Sequence, residues 1–210
     1  MEALWTAAQV EGKIRARIYH DDLFMTIDDY LPNRITKFIV TDGAADRGCP
    51  QDVKPFKNED TGQDDFDETP FAFWVPLYML DHSGVRVSVR PFGDPWDSGC
   101  CGFVGVLKED IERQYGDLSD ASINCAKAVM FEEVKIIDAL FRGEVYRYAI
   151  DQFEHCESCG KSGWELIDAC GGYVGNPKLV HDRAVECLKE NLANQGLDHE
   201  VEEFDPGHWS

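Results

Sequence analysis

The sequence predicts a single α+β domain across residues 1–210, in which two main helices pack on one face of a mostly antiparallel sheet. Three observations indicate this fold class. Short apolar runs of alternating polarity are separated by turn residues, as in strands that are joined by hairpins. Two longer segments instead repeat apolar residues every three or four positions, as amphipathic helices do. The sequence also shows no internal repeat and no Ser- or Gly-rich linker that would divide the chain.

The first half of the chain contains most of the predicted strands. The segment "GKIRARIYH" (12–20) alternates between apolar and basic residues, and "RITKFIV" (34–40) is a second apolar run. Residues 42–70 are rich in Asp, Gly and Pro, which predicts a long acidic loop or a mobile insertion. The runs "FAFWVPLYML" (71–80) and "VRVSVR" (85–90) flank the turn "DHSG", so we expect a β-hairpin there.

The second half of the chain mixes predicted helices and strands. The segment "PFGDPWDSGCCGFVGV" (91–106) predicts a turn-rich loop that runs into a short strand. Beyond it, periodicity and capping residues predict a short helix at 108–116, a long helix that starts near 117–120 and ends at Phe141, strands at 144–154 and 164–170, and a last helix from about 178 to 194. The acidic residues from about 196 to 210 are expected to fray.

Charge is the strongest global feature of the sequence. Forty acidic and twenty basic residues give a formal net charge of −20 at pH 7, and the excess occurs in every third of the chain. A magnitude of about 2 to 8 is enough to keep a small domain soluble. The larger charge repels nucleic acid and attracts a basic partner, so direct DNA or RNA binding is not expected. Plain solubility, or a salt-adapted host, is the alternative explanation.

The sequence predicts a cytoplasmic protein without a membrane partner. No apolar run approaches the roughly 18 residues of a membrane span. The N-terminal segment lacks the basic start and apolar stretch of a signal peptide. The eight cysteines are therefore expected to be reduced.

The segment "HCESCGKSG" contains a CxxC motif that suggests a zinc site. Cys156 and Cys159 would supply two ligands, Cys170 on the facing strand a third, and His155 or His181 the fourth. A second CxxC is missing, so a hairpin turn with two free thiols is the alternative. A redox role is not favoured, because redox CxxC pairs usually open a helix that lowers the thiol pKa, and this pair is predicted in a hairpin.

Two loops contain polar residues of the types that are found in active sites. Adjacent residues at a strand end point to opposite sides, so His82 and Ser83 are not expected to form a proton relay. Asp97 is expected to form an Asx-turn and Trp96 to cover the end of the sheet. A polar turn is therefore the alternative to a pocket. The residues of this candidate pocket are Asp81, His82, Ser83, Trp96, Asp97 and Ser98.

The "DHSG" and "PWDSG" motifs belong to a longer pattern that covers about residues 70–195. It continues through a helix that ends in "YG", a "GEVY" strand and "IDACGGYVGNP". This pattern resembles a family of small uncharacterised proteins of bacteriophages and integrative mobile elements. The sequence departs from it at Cys100, where the family often has Gln, and at Asn176, often Asp. The family has no known enzyme activity, so the resemblance implies no catalytic residue.

The resemblance implies an accessory protein that inhibits a host defence system. Highly acidic proteins of this kind commonly mimic DNA, which carries one charge per ~1.7 Å of helix axis. We therefore expect binding to the basic nucleic-acid site of a restriction or CRISPR effector, that is, of a host protein or ribonucleoprotein. The candidate partner-binding residues are Glu59, Asp60, Asp64, Asp65, Asp67, Glu68, Glu109, Asp110, Glu112, Glu200, Glu202 and Glu203.

Two other functions are open at this point. The loops 81–84, 94–101 and 171–176 would form an enzyme site for a nucleotide or a small defence signal if they met at one end of the sheet. The cysteines would instead make the chain a zinc-stabilised structural module. Apart from zinc, no cofactor is expected.

Overall fold

The computed structural model describes residues 3–9, 13–22, 26–196 and 201–204. Within them the strands are β1 (Trp5–Gln9), β2 (Ile14–His20), β3 (Thr36–Val40), β4 (Phe56–Lys57), β5 (Asp64–Asp65), β6 (Phe71–Asp81), β7 (Val85–Ser88), β8 (Ser98–Leu107), β9 (Val145–His155), β10 (Ser162–Val174) and β11 (Val201–Phe204). The helices are α1 (Ile27–Tyr30), α2 (Asp42–Ala45), α3 (Lys108–Tyr115), α4 (Asp120–Phe141) and α5 (Pro177–Asn194). The predicted α+β class is confirmed, and the antiparallel strands form two main sheets where the sequence predicted one.

The chain forms two compact units. The first consists of the described residues of 1–24 and 143–210, and the second of those of 25–142. Both long helices that the periodicity predicts are present, and each packs on its own sheet. Helix α5 packs on the sheet of the first unit and α4 on the sheet of the second.

The sheet of the first unit has the strand order β10-β9-β2-β1-β11. Strand β2 alternates as the sequence predicts, because Ile14, Ala16 and Ile18 are fully buried on the face that α5 covers. The helix contributes Leu188 and Leu192 to the same core. This alternation positions the basic residues of β2 on the opposite face.

The opposite face of this sheet is held by a buried carboxylate. Asp151 of β9 is 3% exposed. Its Oδ2 atom accepts hydrogen bonds from Nε of Arg15 at 3.1 Å and from Nε of Arg17 at 2.6 Å. The Arg15 guanidinium also lies 3.8 Å from the ring centroid of Trp164 on β10. The charged residues of β2 are therefore structural and connect three neighbouring strands.

The sheet of the second unit has the order β3-β8-β6-β7, and α4 packs on one of its faces. Two acidic residues of α4 hold the two edge strands. The buried Glu133 accepts hydrogen bonds from the N–H groups of Ile35 at 3.1 Å and Thr36 at 2.9 Å. Asp138 accepts one from the N–H of Val87 at 3.0 Å. Buried carboxylates are stable when backbone donors satisfy them, as here.

Part of the segment between β3 and β6 covers the other face of this sheet, whereas residues 44–49 contribute to the core under α4. Residues 42–70, for which the sequence predicts a long acidic loop or an insertion, contain α2 and the short β4–β5 hairpin. Phe66 from this segment is buried with Ile39 and Phe71. Both faces of the second sheet therefore have a hydrophobic layer, one under α4 and one under part of residues 42–70.

Candidate functional site

The β4–β5 hairpin presents the densest run of acidic residues in the described chain. We define the acidic hairpin as residues 56–68. Asn58 organises its turn, since its N–H donates to the Gln63 carbonyl at 2.9 Å. The side-chain oxygen of Asn58 accepts from the N–H groups of Asp60 at 3.0 Å and Thr61 at 3.2 Å. The acidic residues thus project from an ordered turn.

Phe66 fastens the acidic hairpin to the second sheet. Its side chain is 5% exposed and lies in a group of aromatic rings. Ring centroids lie 5.5 Å away for Phe71, 5.3 Å for Trp74 and 5.0 Å for Phe103. Such packed aromatic pairs stabilise beyond their buried area. The position of the acidic residues relative to the sheet is therefore set by a hydrophobic anchor.

The carboxylates of the acidic hairpin fall into two groups. Glu59, Asp60, Asp67 and Glu68 are exposed. Asp64 is half-buried and forms an ion pair with Lys57, in which Nζ and Oδ1 are 2.8 Å apart. Four of the six predicted carboxylates are therefore open to a partner.

Hydrogen bonds favour the anionic form of two of these groups. The amide of Asn58 and the N–H of Phe66 donate to Asp65, which lowers the pKa of that carboxyl. The hydroxyl and the N–H of Thr69 do the same for the pKa of Asp67. Hydrogen bonds to the charged form favour ionisation, which opposes the effect of the surrounding negative charge.

Helix α3 extends this acidic surface. The N–H of Lys108 donates to the Pro70 carbonyl at 2.9 Å, and its Nζ donates to the Thr69 carbonyl at 2.8 Å. The start of α3 therefore lies against the end of the acidic hairpin. Glu109 follows at once, and Glu112 lies one turn further on the same side of the helix. We define the acidic edge as the exposed residues Glu59, Asp60, Asp67, Glu68, Glu109 and Glu112.

The structure removes Asp110 from the candidate contact residues. This side chain is 2% exposed. Its Oδ2 atom lies 3.3 Å from Nζ of Lys37, and its Oδ1 atom accepts from Arg113. It points inward because α3 buries one face against the sheet, which also buries the neighbouring Ile111. Asp110 is thus a structural ion-pair residue, and this assignment corrects the prediction.

Of the three C-terminal acidic candidates, the structure describes only the backbone of two. Glu200 lies outside the described residues. Glu202 and Glu203 belong to β11, of which the backbone is described. In that strand they pair with Ala8 and Ala7 of β1.

The loops after β6 and before β8 meet, because these two strands pair with Leu80 opposite Ser98. The N–H of Asp81 donates to the Asp97 carbonyl at 2.9 Å. Nδ1 of His82 lies 2.6 Å from Oδ2 of Asp97. Five of the six pocket candidates therefore lie in one region around residues 80–98, which strand pairing and hydrogen bonds hold together. Ser83 is the exception. Sequence reasoning missed the His82–Asp97 pair, since 15 residues separate the two.

The turn at 94–98 differs from its prediction in two ways. Asp94, and not Asp97, organises it by accepting from the N–H groups of Trp96 at 2.8 Å and Asp97 at 3.1 Å. These bonds lower the pKa of the Asp94 carboxyl. Trp96 is 91% exposed and does not cover the sheet end. The Ser98 hydroxyl donates to the Asp94 carbonyl and closes the turn.

The "DHSG" turn has the polar character that the sequence predicts. Ser83 and Gly84 both adopt positive φ, at 55° and 145°. The ring of His82 pairs with Asp97 across the two loops, 2.6 Å from its Oδ2 atom. The third loop of the enzyme hypothesis belongs to the first unit, where Asn176 caps α5 by accepting from the N–H of Lys178 at 3.0 Å.

The three candidate zinc ligands are separated by the register of the β9–β10 hairpin. Cys156 and Cys159 lie in its turn, just before Ser162, which pairs with His155. Cys170 is eight residues further along β10, opposite Tyr148. At ~3.3 Å per residue, this separation is about 26 Å. In the part of the chain that the structure describes, no group of three or more His, Cys, Asp and Glu is arranged to hold a metal.

Cys156 has an environment that the sequence did not indicate. Its Sγ atom lies 3.0 Å from the hydroxyl of Ser158. Hydrogen bonds from that hydroxyl, from the Cys159 thiol and from the N–H groups of both residues lower the pKa of Cys156 to about 7. By contrast, burial raises the pKa of Cys49 and of Cys101 to about 12. The exposed hairpin thiol is therefore far more acidic than the buried ones.

Comparison with known proteins identifies no relative. No protein-family model, no curated protein and no solved structure matches this chain. The phage and mobile-element family stays a prediction that rests on the sequence motifs alone. Among the helices of the described residues, none has the length and apolar character to cross a membrane.

Proposed function

We propose that this chain is an inhibitory binding protein that occupies the basic nucleic-acid site of a host defence effector, a restriction or CRISPR protein, in the host cytoplasm. The observation that carries the proposal is the acidic edge. Its six exposed carboxylates are presented by a hairpin and a helix, both of which are held on the second sheet.

The acidic edge differs from a disordered acidic tail because its residues are ordered before a partner binds. A disordered acidic segment loses conformational freedom when it binds, and this loss weakens the complex. The aromatic anchor at Phe66 and the Lys108 contacts fix the acidic edge before binding. Preorganisation of this kind raises affinity because less ordering remains to be done in the complex.

The charge of the whole second unit supports the same partner. Residues 25–142 include 22 acidic and 12 basic residues, a net charge of −10. A field of this sign speeds the encounter with a basic surface and disfavours acidic ones. Screening by salt acts on exposed charges of this type, with a Debye length of about 8 Å at physiological ionic strength. The complex should therefore weaken as the salt concentration rises.

Affinity capture followed by competition tests the proposal. Tagged full-length protein is incubated with lysate of the host, and bound proteins are identified by mass spectrometry. We expect a nucleic-acid-binding protein that is released by its own DNA or RNA substrate and by raised salt. A partner that keeps its nucleic acid while bound, or a complex that is insensitive to salt, would contradict the proposal.

Charge-matched variants separate the acidic edge from net charge. One variant carries Glu59→Gln, Asp60→Asn, Asp67→Asn and Glu68→Gln. Its control carries four changes on exposed residues of the first unit: Glu154→Gln, Glu157→Gln, Glu165→Gln and Glu190→Gln. Both variants have a net charge of −16. We expect at least a tenfold loss of affinity for the first variant only, whereas equal losses would show that binding follows total charge.

A second candidate function, an enzyme acting on a nucleotide or small defence signal, is favoured by the His82–Asp97 pair. An imidazole that is oriented through Nδ1 by a carboxylate can act as a general base at Nε2. The exposed Trp96 next to it offers a surface on which a base can stack. Linear and cyclic nucleotides are incubated with the protein and the products analysed by chromatography. Turnover that disappears in His82→Ala would support this function, and turnover that survives would contradict it.

A further inference from the structure

We propose that Cys156 and Cys159 form a thiol–disulfide exchange site at the tip of the β9–β10 hairpin, with Cys156 as the attacking thiol and Cys159 as the resolving thiol. The site lies in the first unit and is independent of the acidic edge. Four features of the hairpin carry this inference: the shape of the turn, the donors around one sulfur, the exposure of both thiols and the lack of a third ligand.

The turn brings the two cysteines to the same side. The N–H of Gly160 donates to the Cys156 carbonyl at 2.8 Å, which closes a single helix-like turn. The N–H of Cys156 donates to the Lys161 carbonyl at 2.8 Å and holds this turn on the hairpin. In a helical turn, residues three apart have Cβ atoms about 5–6 Å apart. A disulfide needs about 3.5–4.5 Å, so a small adjustment closes the bond.

The donors of this turn converge on one sulfur. The Ser158 hydroxyl lies 3.0 Å from the Cys156 sulfur, and hydrogen bonding from Ser158 and Cys159 lowers the pKa of this thiol. Redox CxxC pairs usually obtain such donors from the start of a helix. Here a hairpin turn supplies them.

Exposure and ligand count favour exchange over a buried or metal-bound role. Both cysteines are exposed and unpaired in the structure. In the described residues they do not belong to any group of three or more metal-ligating side chains. Structural zinc sites need four ligands. Two accessible thiols without further ligands are the arrangement that reacts with a soluble disulfide.

The reaction with a small disulfide such as oxidised glutathione proceeds in two balanced steps. The Cys156 thiolate attacks one glutathione sulfur, forms a mixed disulfide and releases one glutathione thiolate. Cys159 then loses its proton to solvent and attacks the Cys156 sulfur, which releases the second glutathione thiolate. Two protein thiols are oxidised by two electrons in total, one glutathione disulfide is reduced, and the two protons end on the released thiols.

Disulfide mapping tests the assignment of the two roles. Full-length protein is equilibrated with oxidised glutathione at pH 7, alkylated and mapped by mass spectrometry. We expect an intramolecular Cys156–Cys159 bond in the wild type and a trapped glutathione adduct on Cys156 in Cys159→Ser. A stable glutathione adduct on Cys156 of the wild type would overturn the proposal, as would oxidation at other cysteines with this pair left reduced.

Alkylation rates test the role of the turn. The hydroxyl of Ser158, 3.0 Å from the Cys156 sulfur, favours the thiolate only while the turn is folded. Iodoacetamide should therefore react several-fold faster with Cys156 in the folded than in the urea-unfolded protein. Equal rates in the two states would overturn the proposal.

A pair of serine variants supplies the matched control. Ser158→Ala removes a hydroxyl donor from the Cys156 sulfur, so its alkylation at pH 7 should slow. Ser162→Ala removes a hydroxyl from the same hairpin, 2.7 Å from Nδ1 of His155, and should leave the rate unchanged. Equal slowing in both variants would mean that hairpin stability, and not the donor, sets the reactivity, and this result would overturn the proposed role of the turn.

Discussion

The ring of Phe66 meets the ring of Trp74 edge-on, with their centroids 5.3 Å apart and their planes at 84°. Trp74 lies on β6, an inner strand of the second sheet, and Phe66 directly follows β5 in the acidic hairpin. A hydrophobic contact therefore determines where a polar surface is displayed. Removing the contact should release the acidic edge without changing a single charge.

Phe66→Ala should destabilise the second unit and loosen the acidic hairpin. Loss of a buried Phe side chain costs about 3–5 kcal/mol through lost burial and the cavity that remains. Urea unfolding measures the free energy of unfolding, and hydrogen exchange over residues 56–68 measures local order. Partner affinity should fall although the net charge stays at −20.

Phe131→Ala is the control for this change. Phe131 of α4 is 37% exposed, so its removal leaves a smaller cavity. We expect a loss below about 1.5 kcal/mol and unchanged exchange over the acidic hairpin. If the Phe66→Ala protein showed protected amides at 56–68, the aromatic anchor would not be what orders this segment.

Glu133→Ala should be far more damaging than Glu132→Ala, although the two residues are neighbours. Glu133 is buried and accepts from the N–H groups of Ile35 and Thr36. Leaving a buried donor unsatisfied costs about 1–3 kcal/mol each. Glu132 only pairs with Lys135 at the surface, at 2.6 Å, which is worth about 0.5 kcal/mol or less. The urea concentration at the midpoint of unfolding should be lower for Glu133→Ala than for Glu132→Ala. Similar midpoints would contradict this role of Glu133.

Gly102→Ala should disturb strand β8 strongly. Gly102 adopts a φ of 150°, and a Cβ atom there would lie 2.7 Å from Cα of Val40 on the paired strand β3 and would overlap the Ile39 carbonyl. Strained backbone of this kind costs about 1–3 kcal/mol, and the overlap adds to it. Gly99→Ala is the control, because nothing lies within 4 Å of its Cβ position. A melting temperature equal to that of Gly99→Ala would refute the close approach.

Acid should loosen the acidic hairpin only at a pH below the ordinary pKa of an aspartate carboxyl. The pKa of Asp67 is lowered in the folded state by its bonds to Thr69. Stability from these bonds is thus fully present above the ordinary aspartate pKa and is lost as the pH falls through the lowered one. The amide resonance of Thr69, followed by NMR, should titrate with a midpoint below 3.8, the ordinary value. A midpoint above it would show that the bond is not formed in solution.

The predictions that succeeded depend on local regularities. Alternation in β2 and the three- and four-residue spacing in α4 follow from backbone geometry, which is the same in every protein. The turn that ends at Gly84 was predictable because glycine readily adopts the positive φ that it has there. Capping also acts locally, and the Ser119 side chain, within the predicted start at 117–120, accepts from the N–H of Ser122.

The predictions that failed depend on contacts between distant residues. Asp110 belongs to a segment of charged residues and reads as a surface residue, yet it pairs with Lys37 of β3. Trp96 was expected to cover the sheet, but its turn projects it into solvent.

The sequence by itself determined the α+β class, the order of the main elements and the net charge of −20, because these follow from periodicity and composition. Tertiary structure decided how the strands divide between two sheets, since Arg15 meets Asp151 across 136 positions of the chain. It also decided which carboxylates are exposed and that His82 meets Asp97. Burial and hydrogen-bond direction depend on which segments pack together, and a local pattern does not contain that information.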